Sequence, residues 1–135
     1  MQRATVDRWL EAYVAAWKSY DPGEIEALFA ANVRYRYHPY DDPIEGRGAV
    51  VASWLGDNGA PDASGRDQPG TYDASYRAVA VDGPVAVATG STRYREEPGG
   101  PITRIFDNCF VIRFDQDGRC VDLVEWFIER PATSR

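Results

Sequence analysis

The chain has 135 residues, which at roughly 100 to 200 residues per domain predicts a single domain over 1–135 and excludes a two-domain mechanism. With 44% hydrophobic and 13% aromatic residues it can fill a core without metal or disulfide staples. Fifteen Lys plus Arg against 21 Asp plus Glu, a net charge of −6, set the average surface against a phosphate backbone, so nucleic acid is not an expected partner. No run of 18 apolar residues occurs, and the opening MQRATVDRWLEAYVAAWKSY mixes charges throughout instead of placing a basic tip before an apolar stretch. A soluble, cytoplasmic protein with no membrane partner is expected.

In chain order, Val6, Trp9, Leu10, Tyr13, Val14, Trp17 and Tyr20 repeat at the three-four spacing of one helix face and predict a helix from about Thr5 to Tyr20. Asp21-Pro22-Gly23-Glu24 supplies an N-cap Asp, a Pro at the first helical position and a Glu three residues after the cap, the signature of a second helix start. Its buried face is Ile25, Leu28 and Phe29. Beyond Asn32 the residues alternate, Val33, Tyr35 and Tyr37 on one side and Arg34, Arg36 and His38 on the other, predicting a short strand that ends at Pro39. Tyr40 to Gly48 reads as a turn into a third helix, Ala49 to Leu55, stopped by Gly56. Residues 57–70 form a polar loop long enough to serve as a lid or rim. From Thr71 onward Val, Tyr, Thr and Phe dominate, interrupted at Asp82-Gly83, Glu97 to Pro101 and Asp115 to Gly118, which delimits four consecutive antiparallel strands. Three helices and a short strand followed by a four-stranded meander define an α+β fold, and strands this long must twist and curl, leaving a conical hollow under the helices.

Four stretches carry a family resemblance: Tyr13-Val14-Ala15-Ala16-Trp17 leading into Asp21; Ile25-x-x-Leu28-Phe29-Ala30 followed by Val33; Ile44-x-Gly46-x-x-Ala49-Val50; and Phe110-Val111-Ile112-Arg113-Phe114 followed by Asp117-Gly118-Arg119. Nearly the whole chain resembles the nuclear transport factor 2-like superfamily, in its ketosteroid isomerase-like and SnoaL-like polyketide cyclase branch. The resemblance implies a cystatin-like α+β roll, three N-terminal helices packed in a curled antiparallel sheet, commonly paired as a homodimer through the outer sheet face. It does not fix a function, because the scaffold hosts isomerases, cyclases, dehydratases, epoxide hydrolases and non-catalytic binding proteins. For Tyr13 it implies the tyrosine that hydrogen-bonds a substrate oxyanion. The isomerase's catalytic Asp, which precedes a Pro, falls on Tyr37 or, shifted by one, on His38. Its second oxyanion donor falls on Phe110. Two of three positions differ, which sets the steroid isomerase machinery aside.

Pairing residue 114 with 119 across the last turn makes opposed residues sum to about 233, and opposed residues share a face. One face then carries Arg104, Phe106, Asn108, Phe110, Ile112 and Phe114 with Val121, Leu123, Glu125 and Phe127, and Asn108 opposes Glu125. The other carries Ile105, Asp107, Cys109, Val111 and Arg113 with Cys120, Asp122, Val124, Trp126 and Ile128; its large apolar residues Cys109, Val111, Val124, Trp126 and Ile128 do not suit a wetted surface and make it a candidate dimer interface. It also keeps Cys109 and Cys120 too far apart for a disulfide. One histidine and two cysteines without C-x-x-C spacing exclude a multi-Cys/His zinc site. Asp41-Asp42 reads as a solvated turn, and Glu45-Gly46-Arg47-Gly48 lacks the strand and Lys-Ser/Thr of a phosphate loop.

On the inner face the polar residues are Arg104, Asn108 and Glu125. A carboxylate in an apolar hollow is a candidate acid or base near neutral pH, unless Arg104 closes it into an ion pair. The catalytic candidates are Glu125, His38, whose ring Asp41 or Asp42 can orient, and Tyr13. The ligand-contact candidates are Tyr35, Tyr37, Asn108, Arg104, Trp17, Trp54 and Phe110. The expected function is a pocket for a small hydrophobic or polycyclic molecule, with cofactor-independent isomerase, cyclase or hydrolase chemistry by proton transfer. Non-catalytic ligand binding and a dimeric interaction module are the alternatives. An epoxide-hydrolase reading needs a second carboxylate flanking an Arg inside the pocket, and parity turns Asp107 away.

Overall fold

The computed structural model describes residues 1–56 and 66–132. Its helices are α1 (Arg3–Ser19), α2 (Pro22–Leu28) and α3 (Arg47–Trp54), and its strands are β1 (Phe29–Arg36), β2 (Ile44–Glu45), β3 (Tyr72–Asp82), β4 (Val85–Arg95), β5 (Ile102–Phe114) and β6 (Cys120–Glu129). The strands form one open sheet in the order β2-β1-β6-β5-β4-β3. The predicted α+β fold is therefore present, with three helices packed on a curled sheet. Among the described residues no helix is long and apolar enough to cross a membrane.

Burial follows the helix periodicity. Val6, Trp9, Leu10, Tyr13 and Ala16 are the buried stripe of α1, and they meet Phe29, Val33, Tyr35, Phe110, Ile112, Phe114 and Leu123 from the sheet. Trp9 Nε1 donates to the Leu28 carbonyl at 3.0 Å, satisfying an orphan acceptor at the end of α2. Asp7 of α1 accepts the Ala78 N–H at 2.7 Å, beside the irregularity between Ala78 and Ala80 that leaves Val79 unpaired. One side chain thus ties the helix to a bulged edge strand. The inner face of β4 is small, with Ala86, Ala88 and Gly90 opposite Ile112, Phe110 and Asn108. A Cβ on Gly90 would collide with the Ser75 carbonyl oxygen and lie 2.7 Å from the Tyr76 ring, so β3 folds over β4 only where a side chain is missing.

Several local expectations are corrected. The sheet is mixed, because β1 runs parallel to β6, a long-range pairing no turn announces. The stretch expected to be a turn contains β2, with Ile44 opposite Tyr35 and Glu45 opposite Arg34. Asp21 caps α2 without a side-chain hydrogen bond; the Ser19 hydroxyl receives the Asp21 N–H at 3.1 Å and itself bonds Glu24, so the serine displaces the expected capping box. In the β3–β4 hairpin Asp82 pairs with Val85, which makes Gly83-Pro84 the two-residue loop, and Gly83 adopts φ 57°. The β5–β6 register also differs. Phe114 pairs with Cys120 but Arg113 with Asp122, so Val121 is a bulge, and opposed residues beyond it sum to 235 instead of 233. A slip of two keeps every later residue on its predicted face. Residues before the bulge exchange faces, and Cys120 enters the core instead of the outer surface. Cys109 and Cys120 are both free thiols. Of the 57–70 loop, residues 57–65 lie outside the described residues.

Candidate functional site

Between the helices and the inner sheet face lies a cavity of about 440 Å³, within the range of small-molecule sites. Tyr13, Trp17 and Tyr20 from α1 and its end, Tyr35 and Tyr37 from β1 and just beyond it, Ser53 and Trp54 from α3, Asp67, and Tyr76, Thr92, Tyr94, Asn108, Glu125 and Phe127 from the meander line it. Its walls are aromatic rings edged with hydroxyls and the carboxylates of Glu125 and Asp67.

Glu125 is half-buried in this wall, and burial pushes its carboxyl up to about 7, opposed by the hydrogen bond from Asn108 and by the charge of His38. Asn108 is not opposite Glu125 but diagonal to it, because Glu125 pairs with Phe110 and Asn108 with Phe127; the amide still reaches, Nδ2 donating to Glu125 Oε2 at 2.8 Å. Thr92 Oγ1 donates to Asn108 Oδ1 at 2.9 Å. A threonine has one hydroxyl proton, so the 2.6 Å contact between Tyr76 and Thr92 has Tyr76 as donor. The chain Tyr76, Thr92, Asn108, Glu125 therefore points all its donors toward the carboxylate. A second hydroxyl pair, Tyr13 and Tyr35 at 2.7 Å, sits at the base of the cavity. Burial raises both phenols well above their ordinary value, the Glu125 charge adding to it, so both remain neutral donors. Tyr37 bonds Ser53 at 3.0 Å. The Trp54 indole N–H is buried without an acceptor, an open demand that a ligand oxygen would meet.

Of the candidates from sequence, the cavity brings together Glu125, Asn108, Tyr13, Tyr35, Tyr37, Trp17 and Trp54. Three others stand elsewhere. Arg104 does not pair with Glu125; its guanidinium is exposed and holds Glu129 in a fork at 2.9 and 2.8 Å, Glu129 standing opposite Phe106 and so diagonal to Arg104. His38 lies past the end of β1, with Nδ1 2.9 Å from Asp41 and its ring against Tyr40 and Phe127, so the predicted orienting carboxylate is present while the imidazole stays outside the lining. Phe110 is fully buried beneath the cavity, packed on Tyr13 and Tyr76. Sequence reasoning missed Tyr20, Ser53, Asp67, Tyr76, Thr92, Tyr94 and Phe127 as lining residues. For Tyr76, Thr92 and Tyr94 a signal existed, since they share parity with the small residues of β3 and β4, but it needed the β4–β5 register. Asp107 pairs with Arg130 at 2.8 Å, and among the described residues no arginine lines the cavity; the carboxylate–Arg–carboxylate set of the epoxide-hydrolase reading is not assembled there.

The SnoaL-like domain family matches residues 10–123, and the chain belongs to that family. No curated protein matches the sequence. Among solved structures, the chain is similar to a candidate ketosteroid isomerase from Kribbella flavida, at 16% identity and TM-score 0.65 over 98% of this chain and 84% of that one. It is also similar to an LEH-like epoxide hydrolase from M. tuberculosis, at 16% identity and TM-score 0.62 over 93% and 84%. At this identity the likeness is one of fold.

Proposed function

We propose that the protein binds a small ring-bearing molecule in this cavity and catalyses proton transfer on it, with Glu125 as the acid-base group. The observation that carries the reading is a carboxylate lining the cavity, pushed by burial up to about 7, with an amide, not a cation, as its hydrogen-bond partner, in a cavity that also holds the Tyr13–Tyr35 hydroxyl pair. A general base is most effective when its pKa lies near the working pH, and neutral phenols aimed at a developing oxyanion stabilise it.

In the proposed step, Glu125 takes a proton from the carbon next to a substrate carbonyl. The C–H electron pair moves into the new C=C bond, the carbonyl oxygen gains the negative charge, and the Tyr13–Tyr35 pair donates to it. Return of the proton from Glu125 to a second carbon completes an isomerisation; its replacement on Glu125 by a solvent deuteron, followed by delivery to the original carbon, gives exchange. The direct test is hydrogen–deuterium exchange at the activated carbon of a cyclic ketone such as tetralone in deuterated buffer. The native protein is expected to accelerate exchange, and Glu125→Gln to lower the rate by about 100-fold or more. Equal exchange by the two proteins overturns the reading.

The second reading, a non-catalytic binder, is favoured by the closed chain from Tyr76 to Glu125, which also serves to satisfy a buried polar group. It predicts saturable binding of the ketone with no exchange above buffer.

A further inference from the structure

The cavity contains a second carboxylate at its other pole, and nothing in the proton-transfer step uses it. Asp67 lies at the end of the cavity formed by Trp17, Tyr20 and Tyr94. Its Oδ2 accepts from Trp17 Nε1 at 3.1 Å, and its backbone N–H donates to the Tyr20 hydroxyl at 2.9 Å, which also receives Trp17 Nε1 at 3.2 Å. The Tyr20 side chain also hydrogen-bonds the Asp67 carboxyl, opposing the effect of its burial. Tyr20 is held at φ 51°, the left-handed end of α1 where glycine or asparagine is usual, and this turn brings its ring to the cavity.

The charge balance is one-sided. Glu125 and Asp67 both line the cavity and, among the described residues, no Lys, Arg or His does; residues 57–65 contain none either. Cations around the rim are committed elsewhere. Arg104 is held by Glu129, Arg95 Nε donates to the Gly100 carbonyl at 3.0 Å, and His38 faces Asp41. Arg66 lies over the Tyr20 ring at 5.3 Å with Nε on the Leu55 carbonyl, and forms no ion pair with Asp67. Desolvation raises the Asp67 carboxyl above its ordinary value against the hydrogen bonds from Trp17 and Tyr20; those neutral donors orient it but bring no counter-charge. Aromatic faces and an uncompensated carboxylate are the two elements that recognise an ammonium group, and the same pair repels an anion.

We propose that the molecule bound here is an apolar ring system bearing a protonated amine, the ammonium seated between Asp67 and the rings of Trp17, Tyr20 and Tyr94 while the ring system extends toward Glu125. The inference rests on the proposed function for its second half, since it places the reacting carbon at the Glu125 end. It also separates substrates: carboxylates and phosphates are turned away, neutral analogues are tolerated.

The test is calorimetric titration of the full chain with three probes of one shape, naphthylmethylamine, naphthylmethanol and naphthoate. The amine is expected to bind about tenfold more tightly than the alcohol, and naphthoate not at all. Asp67→Asn is expected to remove the amine's advantage over the alcohol, with a native far-UV circular dichroism spectrum and thermal melt showing that the variant is folded. Glu125→Gln is expected to keep most of the amine preference while abolishing ketone exchange. Equal affinity for amine and alcohol, or an amine preference that survives Asp67→Asn, overturns the ammonium site and leaves the proton-transfer reading standing. Binding by none of the probes overturns the ammonium site, and ketone exchange then decides the other reading separately.

Discussion

Replacing Glu125 with Gln removes a titration and keeps the shape, so its effect on stability is set by linkage. The unfolded side chain releases its proton near 4.5, the folded one near 7. Between those values the native state holds a proton that the unfolded state has lost, so native stability falls as pH rises through this window. At about 1.4 kcal/mol per pKa unit the loss amounts to roughly 3 kcal/mol by pH 8, an upper figure because water reaches the carboxylate through the cavity. The glutamine of the variant carries no such cost and still offers an oxygen to Asn108 Nδ2. The variant is therefore expected to match the native protein near pH 4.5 and to exceed it increasingly toward pH 8, by about 3 °C in Tm per kcal/mol for a chain of this size. Thermal melts of both proteins at half-unit pH steps measure the difference directly, with all other groups common to the two curves. Parallel curves would show that Glu125 titrates at its ordinary value, and would refute the desolvation argument together with the base assigned to it.

Thr92→Val leaves the Tyr76 hydroxyl without an acceptor and Asn108 Oδ1 without a donor, both buried, and is expected to cost about 2 kcal/mol in urea unfolding, while Thr92→Ser, which keeps the hydroxyl, stays near native. Gly90→Ala drives a methyl into the Ser75 carbonyl; a loss of about 3 kcal/mol, with amide exchange rising in β3 before the rest of the sheet, is the expected result, and native stability would show that β3 and β4 do not approach so closely. The outer sheet face exposes Ile128 at 75% and Trp126 at 42% beside Cys109 and Val111, which supports pairing of two copies there. Light scattering is expected to give a dimer for the native chain and a monomer for Trp126→Asp/Ile128→Asp, and a native monomer at micromolar concentration would refute that face as a self-association site.

Much of the site is legible in the sequence because parity survives a two-residue difference in register. Asn108, Phe110, Leu123 and Glu125 stay on the inner face although every opposed pair moves by two, since a two-residue slip restores the alternation that a one-residue slip destroys. What parity cannot carry is position along the strand. Arg104 and Glu125 share a face, yet Glu125 stands opposite Phe110, six residues along β5 from Arg104, while Glu129, opposite Phe106, is diagonal to the guanidinium and holds it. Nothing in the local sequence marks Val121 as the extra residue; the bulge belongs to a strand that must also pair in parallel with β1, a constraint from a distant part of the chain. Asp67 and Tyr20 are hidden for a related reason. They meet through a loop and a helix end, where no periodicity exists to read.

The engagement of Arg104 by Glu129 instead of Glu125 decides what Glu125 can do. A guanidinium in a two-pronged bond holds a carboxylate firmly ionised, as it does for Glu129, whose carboxyl lies below its ordinary value because of Arg104. Such a group is a poor base near neutrality because its proton affinity has been spent on the ion pair. An amide donor supplies one directed hydrogen bond and no net charge. It orients the carboxylate, offsets part of the desolvation, and leaves the titration close to 7. Thr92 and Tyr76 then fix which end of the Asn108 amide faces Glu125, since only the Nδ2 end can donate while Oδ1 receives the threonine proton. The polar chain across β3, β4, β5 and β6 thus does for Glu125 what an arginine would undo: it holds the group in place while leaving it free to take up and release a proton.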